Sequence, residues 1–188
     1  MSYVLAIAGS PSHPSRTYSL LEEASKQLES AAIETRILSV RDLPAEVLAL
    51  GQYDSPALEE PKALLEKAAG IIIATPIYKA SYTGVLKAFL DLLPQKALVG
   101  KIVLPIATGG TIAHLLSIEY ALKPVLSELG ARHFISTVYA VDKQIQRQAD
   151  DTLQLEEELE ERLDQSLQEF ISAIQSTAST SQVLVHAS

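Results

Sequence analysis

Cysteine and tryptophan do not occur in this chain of 188 residues, and the one methionine is Met1. Without thiols there is no disulfide, no thiolate nucleophile, no cysteine-held zinc and no iron–sulfur cluster. Only histidine and carboxylate ligands stay open to a metal. Such a chain needs no oxidising compartment. Long apolar runs are missing too, and Met1 leads almost at once into residues 3–8 (YVLAIA) without a basic flank or a cleavage site. Neither export nor membrane insertion is signalled, and a cytoplasmic protein is expected. Positive charge is scarce: 15 Lys and Arg stand against 23 Asp and Glu, a formal net charge of −8. That leaves no basic footprint for nucleic acid, and the acidic block at 156–161 reads as a solvated helix face.

Several catalytic signatures are lacking as well. A dinucleotide GxGxxG would need two more glycines after Gly9, and a nucleotide P-loop would need a hydroxyl residue where Gly100-Lys101 is followed by Ile102. There is no GxSxG elbow and no metal-spaced histidine pair, and His13, His133 and His186 have no evident partner in sequence. A hydrolase finds no support.

What the chain does contain is a repeated strand, polar loop and helix. With 47% of residues in the hydrophobic set, it can bury the core of one domain. Apolar, β-branched runs at 3–8, 70–74 and 101–107 read as buried strands, joined by strands at 34–40 and 133–139. Helical periodicity predicts helices at 16–30, 56–69, 83–93, 113–129 and 152–175. Right-handed crossovers then give an α/β, flavodoxin-like three-layer sandwich: a five-stranded parallel sheet in order 2-1-3-4-5 with helices on both faces. Residues 1–176 form this domain, and 177–188, rich in Ser, Thr and Ala, read as a flexible tail. Pro105 predicts a bulge or an early end to pairing in its strand. Pro124 cannot donate to the Tyr120 carbonyl, so the helix should be irregular there. A π-bulge that turns Tyr120 outward is expected, with a simple proline kink as the alternative.

Open sheets of this kind bind ligands outside the carboxyl ends of the strands. Three loops belong there. In the first, residues 9–17 (GSPSHPSRT), Ser10, Ser12, Ser15 and Thr17 crowd the start of a helix whose free amides favour a phosphate. Arg16 adds a charge-assisted contact. An ordinary capping cluster would carry the same serines. In the second, residues 75–84 (TPIYKASYTG), Pro76 and Ile77 can run extended past a planar ring, with Tyr78 and Tyr82 nearby; Lys87 and Asp91 read as a surface pair. In the third, residues 108–114 (TGGTIAH), Gly109 and Gly110 leave room for a ring. Thr108, Thr111 and the main chain can meet its polar edge, and His114 starts the next helix.

These motifs carry a resemblance. GSP with PSR following, then ATPIYKASYTGVLKAFLDLLP, then LPIATGGTIAHLLSIEYALKPVLSELG, are similar to the NADPH-dependent FMN reductases, most closely the flavin reductases of two-component alkanesulfonate monooxygenase systems. The resemblance covers about residues 3–139. It implies a reductase that takes FMN as substrate, uses NADPH and passes reduced flavin to a separate monooxygenase. By the same resemblance Ser10, Ser15, Arg16 and Thr17 would hold the FMN phosphate, Pro76, Ile77, Tyr78 and Lys79 would line the ring, and Thr108, Gly109, Gly110, Thr111 and His114 would close its other side. Many relatives have arginine where this chain has Ser12. In the resembled reductases a tyrosine inserted at the helix bulge helps build the interface of a homodimer or homotetramer, a role that would fall to Tyr120. No side chain is nominated as acid or base, because hydride passes between the two cofactors. The alternatives are a quinone, azo or chromate-type reductase of the same fold with tightly held FMN, and a non-catalytic flavodoxin-like carrier.

Overall fold

A computed structural model describes residues 3–148 and 152–186. Strand β1 (Val4–Ala8) is apolar and buried at all of its positions, as a strand covered on both faces must be. It pairs in parallel with β2 (Thr35–Ser39) on one side and with β3 (Gly70–Tyr78) on the other. The end of β3 folds back through a tight turn into β4 (Ser81–Tyr82). Its other edge carries β5 (Ile102–Gly109), which is flanked by β6 (His133–Phe134) and then β7 (Val138–Val141). Setting aside the short strand β4 and counting β6 and β7 as one interrupted strand, the core sheet has five strands in the flavodoxin-like order 2-1-3-4-5.

Because side chains alternate along a strand, the central strands feed two cores. Leu5, Ile7, Ile71 and Ile73 pack against α2 (Ala45–Ala49), α3 (Glu59–Lys67), α4 (Gly84–Leu90) and α5 (Lys123–Glu128). Val4, Ala6, Ile72 and Ala74 pack against α1 (Arg16–Ser30) and α6 (Glu157–His186). The α6 contribution is a stripe of Leu159, Leu163, Leu167, Phe170 and Ile174.

Three local expectations are corrected. Pro105 causes no bulge in its own strand: β5 stays in unbroken register with β3 from Ile102 to Thr108. The irregularity lies in the neighbour, where Phe134 to Val138 takes one residue more than the facing Val103 to Ile106. Val103 accepts from Ile135 N–H at 2.9 Å, so Val103 faces that neighbour. Pro105, two residues on, faces it too. The missing donor falls where the neighbouring strand is interrupted, and no ladder bond is lost.

The second correction is a hairpin, β8 (Ile145–Arg147) with β9 (Leu153–Leu155), between β7 and the last helix. Its strands have three residues each, too short for a period to be read, and Leu153 and Leu155 had been counted into a helix starting at 152. The third is the length of that helix. It spans Glu157–His186, where the periodicity predicts 152–175. Ser176 and Thr177 are accommodated by donating their hydroxyls to the Ser172 and Ala173 carbonyls at 2.8 and 2.9 Å. Residues 187–188 lie outside the described residues.

The expected irregularity near Pro124 is present. Ile118–Leu122 is a π-helical segment, with Lys123 N–H bonded to the Ile118 carbonyl five residues back. A π turn inserts one residue, and the inserted surface here is Tyr120, 79% exposed.

Candidate functional site

The three loops converge at the carboxyl edge of the sheet, and hydroxyl groups stitch them together. Thr83, the cap of α4, donates to the Gly9 carbonyl at 2.5 Å and accepts from Leu86 N–H at 3.2 Å, tying the second loop to the first. Thr75 accepts from Thr83 N–H at 3.2 Å. The Thr17 and Thr108 hydroxyls meet at 2.6 Å, tying the first loop to the third. Buried polar groups of this sort must pair, and pairing with each other fixes the loops' spacing. Sequence reading had singled out neither Thr83 nor Thr75 as an organiser. A threonine just before a helix start was the available signal for Thr83.

In the first loop the capping reading is met. Ser15 caps α1, accepting from Tyr18 N–H at 3.2 Å, and buried Ser10 accepts from Ser12 N–H at 3.3 Å. Thr17 is buried with its hydroxyl engaged by Thr108, so it faces a ligand only through its main-chain amide. The first amides of α1 have no carbonyl within the helix to bond. Arg16 is 60% exposed and lies 4.0 Å from Asp142, too far for a hydrogen bond. An open helix start, serine hydroxyls and an exposed guanidinium suit a phosphate. Ser12 stands 3.5 Å from the Tyr78 hydroxyl.

In the second loop, Pro76 and Ile77 are half-buried and Tyr78 and Lys79 are exposed. Ile77 packs on Ala107, Ile118 and Tyr139. Residues 78–81 form a two-residue hairpin turn with φ of 51° at Lys79 and 64° at Ala80, the mirror-image turn that glycine or asparagine normally occupies.

The third loop divides its two glycines. A Cβ on Gly109 would strike the Tyr139 hydroxyl, so this glycine makes room for protein rather than for a ligand, against the reading that gave both glycines to a ring. That hydroxyl donates to the Thr111 carbonyl at 2.8 Å and braces the loop. Burial, and then Asp142, hold the Tyr139 phenol above its ordinary pKa. Gly110 is exposed, and a Cβ there would find only Asp142, at 4.0 Å. Nothing in the protein requires that glycine, which is the condition for a flat ligand to come close. Exposed Thr111 accepts from Ala113 N–H at 3.2 Å, opening the turn Ile112–His114, and His114 is half-exposed at its end.

The residues present therefore fit a flavin mononucleotide: an anion cradle at one end, an aromatic flank and a bare glycine at the other. Among the described residues no group of three or more His, Asp or Glu could hold a metal ion, and no helix is long and apolar enough to cross a membrane.

The sequence profile of the family described as NADPH-dependent FMN reductase matches residues 2–146. A Pseudomonas putida protein named FMN reductase (NADPH) is 48% identical over 168 residues, 89% of this chain and 85% of that protein. A protein of the same name from Escherichia coli is 46% identical, over 91% of this chain and 89% of its own. Among solved structures, the apo form of the NADH:FMN oxidoreductase EMOB superposes with a TM-score of 0.81 at 40% identity, covering 90% of this chain and 88% of that one. With a flavodoxin-like sheet and these relatives over most of its length, the chain belongs to the family of NADPH-dependent FMN reductases.

Proposed function

We propose that this reductase takes FMN as a diffusible substrate, reduces it with NADPH in the cytoplasm, and passes reduced flavin to a separate monooxygenase that desulfonates alkanesulfonates. The observation that carries the flavin site is the convergence of three hydroxyl-tied loops around an exposed glycine, Gly110, that no protein atom requires. Ser10, Ser15, Arg16 and the Thr17 amide take the phosphate. Pro76, Ile77, Tyr78 and Lys79 flank the ring, while Gly110, Thr111 and His114 form its other side, with Thr108 and Gly109 behind them against Thr17 and Tyr139. FMN, when bound, accepts a hydride from NADPH, and that chemistry belongs to the two cofactors. The protein's share is alignment, together with main-chain amides that favour the extra charge on the ring. The delivery of reduced flavin to a monooxygenase is supported by the sequence resemblance over residues 3–139.

Assembly enters the proposal through Tyr120. Ile112, Leu115, Leu116 and Tyr120 are all exposed large apolar side chains on the segment that leads out of the third loop. A strip of that kind favours a second copy of the chain. The proposed assembly is a homodimer or homotetramer with Tyr120 packed across the contact, so that subunit association and flavin retention are coupled.

Purified protein mixed with NADPH and added FMN tests the activity. Colourless protein with FMN-dependent loss of NADPH supports the reading; a yellow protein inert to NADPH makes it a carrier. Arg16→Ala should weaken FMN about ten- to a hundredfold while sparing riboflavin, and equal weakening of both would remove Arg16 from the phosphate. Unchanged assembly and flavin retention in Tyr120→Ala would end the coupling.

A further inference from the structure

Asp142 is the first residue after β7, and the register of the sheet decides where it falls. Val141, the last residue of β7, pairs with Gly109 at the end of β5, so the residues that follow, Asp142 and Gly110, leave the sheet side by side. A short turn over 142–144 fixes it there. Val141 N–H donates to the side-chain oxygen of buried Gln144 at 2.9 Å, and the Gln144 carbonyl accepts from Glu156 N–H at 3.0 Å. The Asp142 side chain, 43% exposed, ends 4.0 Å from the Arg16 guanidinium and 4.0 Å from where a Cβ on Gly110 would stand.

A negative charge thus stands at the junction of the ring site and the phosphate cradle, where an anionic ligand is least helped by one. Among the described residues its one ion-pair partner is Arg16, and the adjacent Lys143 is exposed. A phosphate is the stronger claimant on that guanidinium, because it carries more charge and can accept from both arms of the fork. Once Arg16 turns to the phosphate, Asp142 faces the ring without its partner. Its field is already felt within the site, where, after burial, it is what holds the proton on the Tyr139 phenol to higher pH. The carboxylate accepts no hydrogen bond among the described residues, so asparagine in its place removes the charge and little else.

We propose that Asp142 makes this site hold reduced FMN less tightly than oxidised FMN, and so favours departure of the product. The inference rests on the reading that puts the ring against Gly110 and the phosphate on Arg16. NADPH gives the ring a hydride, two electrons with one proton, and leaves as NADP+; the neutral oxidised ring becomes an anion. Beside a carboxylate that added charge is repelled, by an amount between the aqueous and the partly buried limits for two charges a few ångströms apart. Loop amides help the charge to form, and Asp142 limits how firmly it is kept. Substrate and product differ in the charge that this side chain meets, so it discriminates between them.

The experiment compares wild type with Asp142→Asn. It measures the affinity of oxidised FMN by fluorescence quenching, that of chemically reduced FMN under anaerobic conditions, and the two-electron potential of the bound flavin. Asp142→Asn should tighten reduced FMN about tenfold more than oxidised FMN, which raises the potential of the bound flavin by about 30 mV. The same gain should persist in an Arg16→Ala background, since the charge acts on the ring. Equal tightening of both oxidation states overturns the proposal, because a carboxylate that only competes for Arg16 cannot tell them apart. So does an unchanged pair of affinities. Gly110→Ala separates the two readings: if it weakens FMN while Asp142→Asn changes nothing, the inference fails and the ring site stands. If neither variant changes FMN binding, the ring lies elsewhere and both fall.

Discussion

The hydroxyl oxygens of Thr17 and Thr108 stand 2.6 Å apart in the interior, joining the first turn of α1 to the carboxyl end of β5 across 91 residues of chain. Each is the other's partner in a place water does not reach. Thr108→Val leaves the Thr17 hydroxyl buried and unpaired, which should cost about 1–3 kcal/mol in urea unfolding. Replacing both by valine removes the orphan along with the bond and should recover much of that loss. Additive effects of the two single changes would mean that the pair is not coupled.

Gly109→Ala and Gly110→Ala should separate stability from binding. At 109 the new methyl meets the Tyr139 hydroxyl, and overpacking of this kind costs about 1–3 kcal/mol. At 110 it meets open space, so the thermal midpoint should hold while FMN-dependent NADPH oxidation falls. A stable, fully active Gly110→Ala protein would move the ring elsewhere.

Tyr139 predicts an alkaline limit. Burial raises its pKa above the ordinary 10.0, so the folded state keeps a proton that the unfolded chain gives up near pH 10. Above that point the unfolded state binds fewer protons, and stability must fall as pH rises toward the folded value. Below it the contribution is intact. Unfolding by urea at about pH 8 and about pH 10.5 should show a larger alkaline loss in wild type than in Tyr139→Phe. Equal losses would mean that the phenol titrates freely.

The turn at Lys79 and Ala80 holds two non-glycine residues at positive φ. Ala80→Gly removes a Cβ from the left-handed region at some cost in chain entropy, for a net gain of about 0.5–1 kcal/mol. Urea unfolding measures it. A loss would show that the alanine methyl contributes packing that outweighs the strain.

How much of this was legible in the sequence follows the range of the interactions. The five core strands, the order of the sheet, α1 and the three loops could be read because apolar period and loop chemistry are local. The π segment could be read because Pro124 names the carbonyl it cannot serve. The sense of Gly109 could not, since its neighbour Tyr139 arrives from another strand 30 positions along. The Thr17–Thr108 pair was hidden for the same reason: two hydroxyl residues assigned to a ligand turn out to spend their side chains on each other. Pro105 misled because the rule about proline in strands concerns a donor, and whether that donor has a partner is decided by the neighbouring strand.

The interruption between β6 and β7 has one more effect. These two strands form the outer margin of the sheet beyond β5, and a long straight margin is a template on which another chain can add itself strand by strand. Here the margin is cut into pieces of two and four residues. In the gap Ser136 N–H is turned to the Glu169 carboxylate on α6, at 3.4 Å. The stagger that spares Pro105 a missing bond thus also blunts the sheet against fibrous growth.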